Sequence, residues 1–204
     1  MAYDTISTPV TWQQKIRRST FICSLHPIAS ADEARSLISA HLKENSAATH
    51  NCFAYICGFE RETQYHSDAG EPHGTAGKPI LNALLRAGIT NVLAIVTRFY
   101  GGVKLGVPGL IQAYGGTVEQ TLRLAPKLPA VPFSSFRVKA SYAVVDQLIA
   151  VLKSLEGSVS QESWAEKAEL VLLIPTDNAA PLREFLDGQA AQSHLEYLEE
   201  NDHA

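Results

Sequence analysis

The spacing of hydrophobic residues predicts four strands in the first half of the chain. Apolar and polar residues alternate over residues 10–15 and 19–27, which is typical of half-buried strands. Residues 50–59 are rich in aromatic and apolar side chains that favour a strand as well. The run 91–99 is almost continuously apolar, so we expect this strand to be central in its sheet.

Three segments in the same half carry apolar residues at helical spacing, and they predict helices over residues 31–43, 79–87 and 110–124. Ser30 is a residue type that caps a helix, and Pro79 suits the first position of the second helix. Together with the strands, these helices predict an α+β domain whose helices lie on one face of a sheet.

After residue 132 the pattern predicts strands and helices in the order βαββαβ. This is the order of a ferredoxin-like fold. The predicted elements are residues 133–144, 145–156, 158–164, 168–174, 181–189 and a last strand around Leu195, Tyr197 and Glu199. No group of residues in this region has a pattern typical of catalysis.

Three closely spaced prolines separate the two patterns. Pro126, Pro129 and Pro132 each fix their own φ and favour extended geometry in the residue before them. Residues 125–132 are therefore predicted to form a semi-rigid, polyproline-like linker. The predicted domains are residues 1–124 and 133–204.

Charge is distributed unevenly between these two parts. The whole chain has a formal net charge of −4. Residues 1–132 contain 12 Lys and Arg against 9 Asp and Glu, whereas residues 133–204 contain 5 against 12. Because the first part is net positive, the overall acidity does not exclude nucleic acid as a partner. The acidic second part is suited to a protein partner, or to the repulsion of misplaced RNA.

Cysteine content and hydropathy indicate the compartment. Three cysteines among 204 residues do not suggest a disulfide framework. No apolar run approaches the roughly 20 residues of a membrane span, and the N-terminus lacks the pattern of a signal peptide. We therefore expect a cytoplasmic protein without a membrane partner.

Two glycine-rich loops, residues 67–79 and 98–110, are the main candidates for function. Each loop follows a predicted strand and leads into a predicted helix, so its backbone N–H groups and the positive helix end can face an anion. Basic side chains in or beside the glycines add donors for phosphate. The candidate phosphate- or RNA-binding residues are Gly74, Thr75, Gly77, Lys78, Arg98, Tyr100, Gly101, Gly102, Lys104 and Gly106.

Standard nucleotide-binding motifs are absent from both loops. The pair Gly77-Lys78 resembles the end of a Walker A motif, but Pro72 replaces its first glycine and Pro79 replaces the Ser or Thr that binds Mg²⁺. The chain contains no Gly-x-Gly-x-x-Gly sequence. We therefore expect neither an NTPase nor a dinucleotide enzyme, and no cofactor.

The first loop also contains four residues of types that bind metals: His66, Asp68, Glu71 and His73. Their spacing matches no known metal motif, so no metal site is predicted. A small metal-dependent hydrolase using these residues is kept as an alternative function. The main hypothesis for Asp68 and Glu71 is that they accept backbone N–H bonds and hold the loop.

A thiol hydrolase is the second form of this alternative. In the strand predicted over residues 50–59, His50 and Cys52 point to the same face, as a Cys–His nucleophile requires. The apolar neighbours Phe53, Ala54 and Ile56 favour a buried structural thiol instead.

The two loops together resemble the signature of a known family. The run 67–79, the run 98–110 with Ala113-Tyr114, and the short motif His50-x-Cys52-x-Ala54 are similar to motifs of the IMPACT family, in particular of its bacterial YigZ-type members. The similarity covers essentially the full chain. Motifs of this length and spacing are highly specific.

This resemblance implies a first domain similar to ribosomal-protein-type βαβ folds and a second domain similar to a domain of elongation factor G. Eukaryotic relatives act in translational control through an additional N-terminal protein-binding domain, which we expect this chain to lack. For bacterial members the resemblance implies a role with nucleic acid or the ribosome, without an established reaction.

Two positions depart from the family pattern. Ala69 stands where a second acid is usual, which weakens any hypothesis that needs paired carboxylates. Pro108 stands where glycine is usual, which stiffens the entry of the second loop into its helix.

The resulting prediction is a non-catalytic protein that associates with RNA or with the ribosome and acts in translation regulation. The aromatic residues Phe99, Tyr100 and Tyr114 are candidates for stacking on bases. Because the positive charge of the first domain is small, we expect weak binding that salt reduces. The hydrolase is the alternative, and a protein-interaction module that binds through the acidic second domain is a third hypothesis.

Overall fold

In the computed structural model of the chain, residues 3–200 are described. They divide into two compact units between Ala130 and Val131. The mixture of helices and strands confirms the predicted α+β class. The bounds predicted for the domains stay a prediction, and the last four residues of the predicted 133–204 domain lie outside the described residues.

The first unit contains a sheet of five strands in which every neighbouring pair is antiparallel. The strands are β2 (Val10–Ile16), β3 (Ser19–Pro27), β4 (His50–Cys57), β5 (Thr63–Ser67) and β6 (Val92–Phe99). Their spatial order is β2-β3-β6-β4-β5. The apolar strand β6 is therefore central, as its composition predicts.

The helices of this unit are α1 (Ala31–Glu44), α2 (Gly77–Arg86) and α3 (Gly106–Leu124). The strands β3 and β4 are joined by α1 and run parallel to each other on either side of β6, which makes a split βαβ unit. Pro79 is the third residue of α2 rather than the first, because this helix begins two residues earlier than predicted.

The prediction that all helices lie on one face of the sheet is wrong. The residues Val92, Ala94 and Val96 of β6 pack in the same core as α2 and α3. Their alternate neighbours Leu93 and Ile95 pack in a separate core with α1. Alternate residues of a strand point to opposite faces, so a continuously apolar central strand needs a helix layer on each side.

Three short strands of this unit were not predicted. β1 (Asp4–Ile6) pairs antiparallel with β7 (Lys127–Pro129), so part of the segment predicted as a linker is a strand. β5 was not predicted because its residues are mostly exposed and polar. The pairing of β1 with β7 joins residues more than 120 positions apart, so it cannot be predicted from a local sequence pattern.

The second unit has the βαββαβ order that its hydrophobic pattern predicts. Its elements are β8 (Phe133–Ala140), α4 (Tyr142–Ser154), β9 (Ser158–Trp164), β10 (Ala168–Pro175), α5 (Ala179–Ala191) and β11 (Leu195–Glu200). The strands form one antiparallel sheet in the order β11-β8-β10-β9. The first strand ends at Ala140, and α4 begins three residues earlier than predicted.

Within residues 3–200, no helix combines the length and the apolar character that crossing a bilayer requires.

Candidate nucleic-acid interface

The first glycine loop is organised around the carboxylate of Asp68. Its oxygens accept backbone N–H bonds from Gly74 at 2.8 Å, Ala76 at 2.9 Å and Gly77 at 2.8 Å. Burial acts to raise the pKa of Asp68, but these three donors together with His73 outweigh it and hold the pKa below its ordinary value. The carboxylate therefore stays ionised at the start of α2.

This arrangement changes the expectation for the first loop. The N–H groups of Gly74 and Gly77 were predicted to face phosphate, but they are bonded to Asp68. The positive end of α2 is thus occupied by an anion of the protein itself. Thr75 is buried and donates its hydroxyl to the carbonyl of Pro72 at 2.7 Å, and Lys78 alone among the predicted binding residues of this loop is exposed.

Gly77 is required for a close approach between two segments. A Cβ at this position would lie 2.7 Å from the backbone carbon of Ser67, at the end of β5. No side chain fits at that distance, so the loop can close over Asp68 only with glycine here.

A buried ion pair lies beneath the two loops. Arg98, at the end of β6, places Nη1 2.5 Å from Oε1 of Glu71. Tyr114 of α3 donates its hydroxyl to the same oxygen at 2.8 Å. Burial raises the pKa of Tyr114 above its ordinary value, so the phenol keeps its proton and acts as a donor. These contacts join residues of the first loop, the central strand and α3.

Tyr114 is not available to stack on a base. It is fully buried, and its ring contacts that of Phe21 edge to face at 5.2 Å between centroids. The other two predicted stacking residues, Tyr100 and Phe99, are 43% and 38% exposed. Of the three predicted stacking residues, only these two can meet a ligand without unfolding of the core.

The Cys52 thiol is held in its neutral form. Its sulfur donates to the backbone carbonyl of Asp68 at 2.9 Å. Burial raises the pKa of this thiol to about 12, so almost no thiolate exists near neutral pH. His50 is bonded through Nδ1 to the carbonyl of Ala69 at 3.0 Å, and its Nε2 lies 3.9 Å from Glu71. This geometry does not support a Cys–His nucleophile.

The residues of the metal-dependent alternative are not brought together. His66 is exposed on β5, and the fully exposed His73 lies no closer than 3.9 Å to Asp68. Among the residues that the structure describes, no group of three or more His, Cys, Asp or Glu side chains is placed to hold a metal ion.

The second glycine loop runs close to the turn between β2 and β3. A Cβ on Gly101 would lie 1.9 Å from the backbone oxygen of Arg18, so the two segments touch only because this residue is glycine. The Gly101 N–H also donates to the hydroxyl of Ser19 at 3.3 Å. Gly102 follows with a φ of +84°. These contacts place the exposed Tyr100 beside the β2–β3 turn.

This turn consists of Arg17 and Arg18, two exposed residues that lie outside both predicted loops. Both have positive φ, +43° and +70°. A two-residue hairpin turn with positive φ at both positions is of type I′, which strongly prefers Asn-Gly. The sequence does carry a signal for these residues. Two arginines stand side by side between two predicted strands, where a turn usually contains Asn or Gly.

The start of α3 differs from the start of α2. The N-cap residue Leu105 makes no side-chain bond to the start of α3, and the first turn of this helix contains no acidic residue. Gly106, its first residue, is exposed and has a φ of +74°. Lys104 is exposed two residues earlier. The positive end of α3 therefore faces outward with a basic side chain beside it, and an anion site at this loop stays a prediction.

A pocket of about 470 Å³ opens at this place, and we call it the Tyr100 pocket. The buried pair Glu71 and Arg98 contributes to its lining. The remaining lining residues are Thr49, His50, Pro72, Tyr100, Lys104, Leu105, Gly106, Val107 and Leu110. The pocket thus combines apolar walls, an exposed aromatic ring and a positively charged edge.

Comparison with known proteins is consistent with the motifs in the two loops. The model of the Impact N-terminal domain matches residues 17–122, which is about half of the chain and includes both loops. The chain belongs to the IMPACT family. The family match therefore covers the Arg17–Arg18 turn, the Glu71–Arg98 pair and the start of α3.

Relatives extend the similarity over both units. The IMPACT family member YigZ of Escherichia coli is 33% identical over 88% of this chain and 87% of its own length. The IMPACT family member YvyE of Bacillus subtilis is 29% identical over 97% of this chain and 94% of its own. A crystal structure described as that of a hypothetical protein has a TM-score of 0.71 and 28% identity, with 98% of each chain covered.

Proposed function

We propose that this IMPACT family member is a non-catalytic protein that binds single-stranded RNA, alone or on the ribosome, and acts in translation regulation. One observation carries the proposal. The uncapped start of α3, the exposed Tyr100 and Lys104 line one pocket, and the Arg17–Arg18 turn lies beside it against Gly101. We define this RNA surface by Arg17, Arg18, Tyr100, Lys104 and Gly106.

The charges of the RNA surface suit a phosphate backbone. Arg17, Arg18 and Lys104 are all exposed, so their side chains can reach phosphate without loss of a buried contact. Each phosphate that they neutralise releases condensed counterions, so binding weakens as salt rises. With three contacts to a single strand, the logarithm of the affinity should fall with a slope of roughly −2 against the logarithm of salt concentration.

Aromatic exposure suits single-stranded rather than duplex RNA. Tyr100 is 43% exposed beside these charges, and the Arg98 guanidinium lies 5.2 Å from its ring centroid. A ring held in this way can stack on an unpaired base, a contact worth about 1–3 kcal/mol per base. Bases inside a duplex are already stacked and do not offer a free face.

Backbone strain in the Arg17–Arg18 turn supports a role for its charges. A residue other than glycine in the left-handed region costs roughly 1–2 kcal/mol. Strain of this kind persists where the side chain serves a function that the relaxed sequence would not provide. The two left-handed residues lower the free energy of unfolding of the sheet, and in return they place two guanidinium groups beside Gly101.

The third hypothesis, a protein partner for the acidic second unit, has one observation in its favour. Leu198 on β11 is 64% exposed, and it lines an open pocket on the sheet together with the ion pair of Lys139 and Glu169. This supports an additional contact made by the second unit, and deletion of that unit should remove the partner while RNA binding remains.

The proposal is tested by fluorescence anisotropy with labelled single-stranded RNA and with ribosomal subunits at increasing salt. Lys104→Ala should weaken RNA binding about threefold to tenfold and flatten the salt dependence. The matched control is Lys43→Ala, which removes an exposed charge from α1 on the other face of the sheet. If neither RNA nor ribosomal subunits bind at low salt, or if the two variants behave alike, the proposal is wrong.

A further inference from the structure

We propose that the Tyr100 pocket takes one unpaired nucleotide of the bound strand, with guanine as its preferred base. This inference rests on the proposed function, because it assigns a substrate class to the same RNA surface. It uses three parts of the pocket that non-specific phosphate binding leaves unexplained: the apolar walls, the buried carboxylate of Glu71 and the exposed ring of Tyr100.

The mouth of the pocket is built for an anion. The uncapped first turn of α3 contributes Gly106 and Val107 to the lining, and Lys104 lies next to them. A second, independent observation points to a ligand here. Arg98 lines the pocket and is only 5% exposed, yet its Nε has no hydrogen-bond partner within residues 3–200. A buried donor without a partner is costly, and a ligand acceptor relieves that cost when a shift of the Arg98 side chain exposes its covered Nε.

The walls of the pocket are built for a flat, apolar body. Pro72, Leu105, Val107 and Leu110 contribute side chains that offer no hydrogen bonds, and Tyr100 adds an exposed ring. The volume of about 470 Å³ lies in the range that small-molecule sites use. The pocket therefore suits one nucleotide, with its phosphate at the mouth and its flat base between the apolar walls.

The carboxylate of Glu71 selects among the bases. Its Oε1 accepts bonds from Arg98 and Tyr114, but a carboxylate offers about four lone-pair sites over its two oxygens. The lone pairs of Glu71 that remain free can only accept hydrogen bonds, so they favour a base edge that carries several donors. Guanine presents an N1–H and a 2-amino group side by side, whereas uracil presents one N–H between two carbonyl oxygens.

Inosine is the sharpest probe of this selection, because it differs from guanosine only in the missing 2-amino group. A site built to accept from a donor rejects an analogue without it, since its own polar group then stays unpaired. We therefore expect guanosine 5′-monophosphate to bind at least tenfold more tightly than uridine 5′-monophosphate, and severalfold more tightly than inosine 5′-monophosphate.

The experiment measures these three nucleotides with the full chain by calorimetry or by chemical-shift titration. Val107→Trp should fill the pocket and abolish the preference, whereas Leu124→Trp, at the exposed far end of α3, should leave it intact. Glu71→Gln tests the carboxylate directly. If that variant fails to fold, the comparison of guanosine with inosine on the unaltered protein still decides the question.

The outcomes separate this inference from the proposed function. Equal affinity for all three nucleotides, or a preference that survives Val107→Trp, overturns the guanine pocket. Binding of RNA without any binding of a mononucleotide overturns it as well and leaves the proposed function standing. Failure of RNA, ribosomal subunits and mononucleotides alike refutes the two together. If guanosine 5′-monophosphate binds but a guanine-containing oligonucleotide does not compete, the ligand is a free nucleotide and the strand assignment is wrong.

Discussion

Replacement of the Arg17–Arg18 turn by Asn-Gly is expected to stabilise the first unit and at the same time to weaken RNA binding. Both arginines have positive φ in a two-residue connection between β2 and β3. Asn and Gly are the residues that this turn type prefers. The same double substitution removes two positive charges from the RNA surface.

The size of the stabilisation follows from the backbone geometry. Relief of the left-handed conformation at residue 18 is worth roughly 1–2 kcal/mol. The greater freedom of glycine in the unfolded chain offsets about 0.5–1 kcal/mol of this. Asn at residue 17 relieves part of the strain there, so a net gain of about 1 kcal/mol in the free energy of unfolding is expected. With a urea slope of about 2 kcal/mol per molar, the midpoint should rise by about 0.5 M.

Tryptophan fluorescence can report the unfolding of the first unit alone. The two tryptophans are divided between the units, Trp12 on β2 and Trp164 on β9. A Trp164→Phe background therefore leaves one probe, in the strand next to the turn. On RNA, the loss of two phosphate contacts should make the salt slope shallower by about 1.4.

The matched control is the pair Arg35→Ala and Lys43→Ala, which removes two exposed charges from α1. This pair should leave the RNA affinity unchanged. An unchanged or lower urea midpoint in the Asn-Gly variant would refute the strain argument. A higher midpoint with unchanged RNA affinity would show that the turn does not contact RNA.

Three further predictions concern the buried contacts beneath the loops. Asp68→Asn should lower the free energy of unfolding at pH 7 by about 2 kcal/mol, because three backbone donors lose a charged acceptor. Since the folded-state pKa of Asp68 is lowered, its contribution to stability is complete above the unfolded-state pKa and is lost as the pH falls through the folded-state pKa. In urea titrations from pH 7 downward, the difference in free energy of unfolding between the two proteins should therefore shrink in the acid range. Cys52, whose pKa is raised to about 12, should react with a thiol reagent at pH 8 only after unfolding in urea, and rapid reaction of the native protein would contradict its burial. Arg98→Met should destabilise by about 3–5 kcal/mol because Glu71 stays buried and unpaired, whereas the double variant with Glu71→Leu should recover much of that loss in the same urea assay.

Local patterns determined much of the fold. The strands β3 and β9 have the bounds that alternation predicts, and the central position of β6 follows from its apolar run. The order βαββαβ of the second unit is likewise a matter of local period and turn residues. Such features are predictable because side-chain periodicity depends only on neighbours within a few residues.

The location of the site was only partly predictable. The sequence marked both glycine loops as candidates on equal terms, because each combines glycines, a basic residue and a following helix. Asp68 and Lys104 distinguish them in the structure: the first is bonded to the start of α2, and the second stands beside the uncapped start of α3. Whether an N–H group is free depends on how the loop folds and which side chain it brings within bonding distance, and a sequence pattern does not contain that geometry.

What the sequence by itself determined is therefore the class of the fold, the family and the two loops that carry the family's motifs. Only the tertiary structure decided that helices cover both faces of the sheet, that Tyr114 is buried and that the Arg17–Arg18 turn touches Gly101. The physical reason is the same in each case. Secondary structure follows from local spacing, whereas burial, bonded partners and the grouping of charges arise from contacts between residues far apart in the chain.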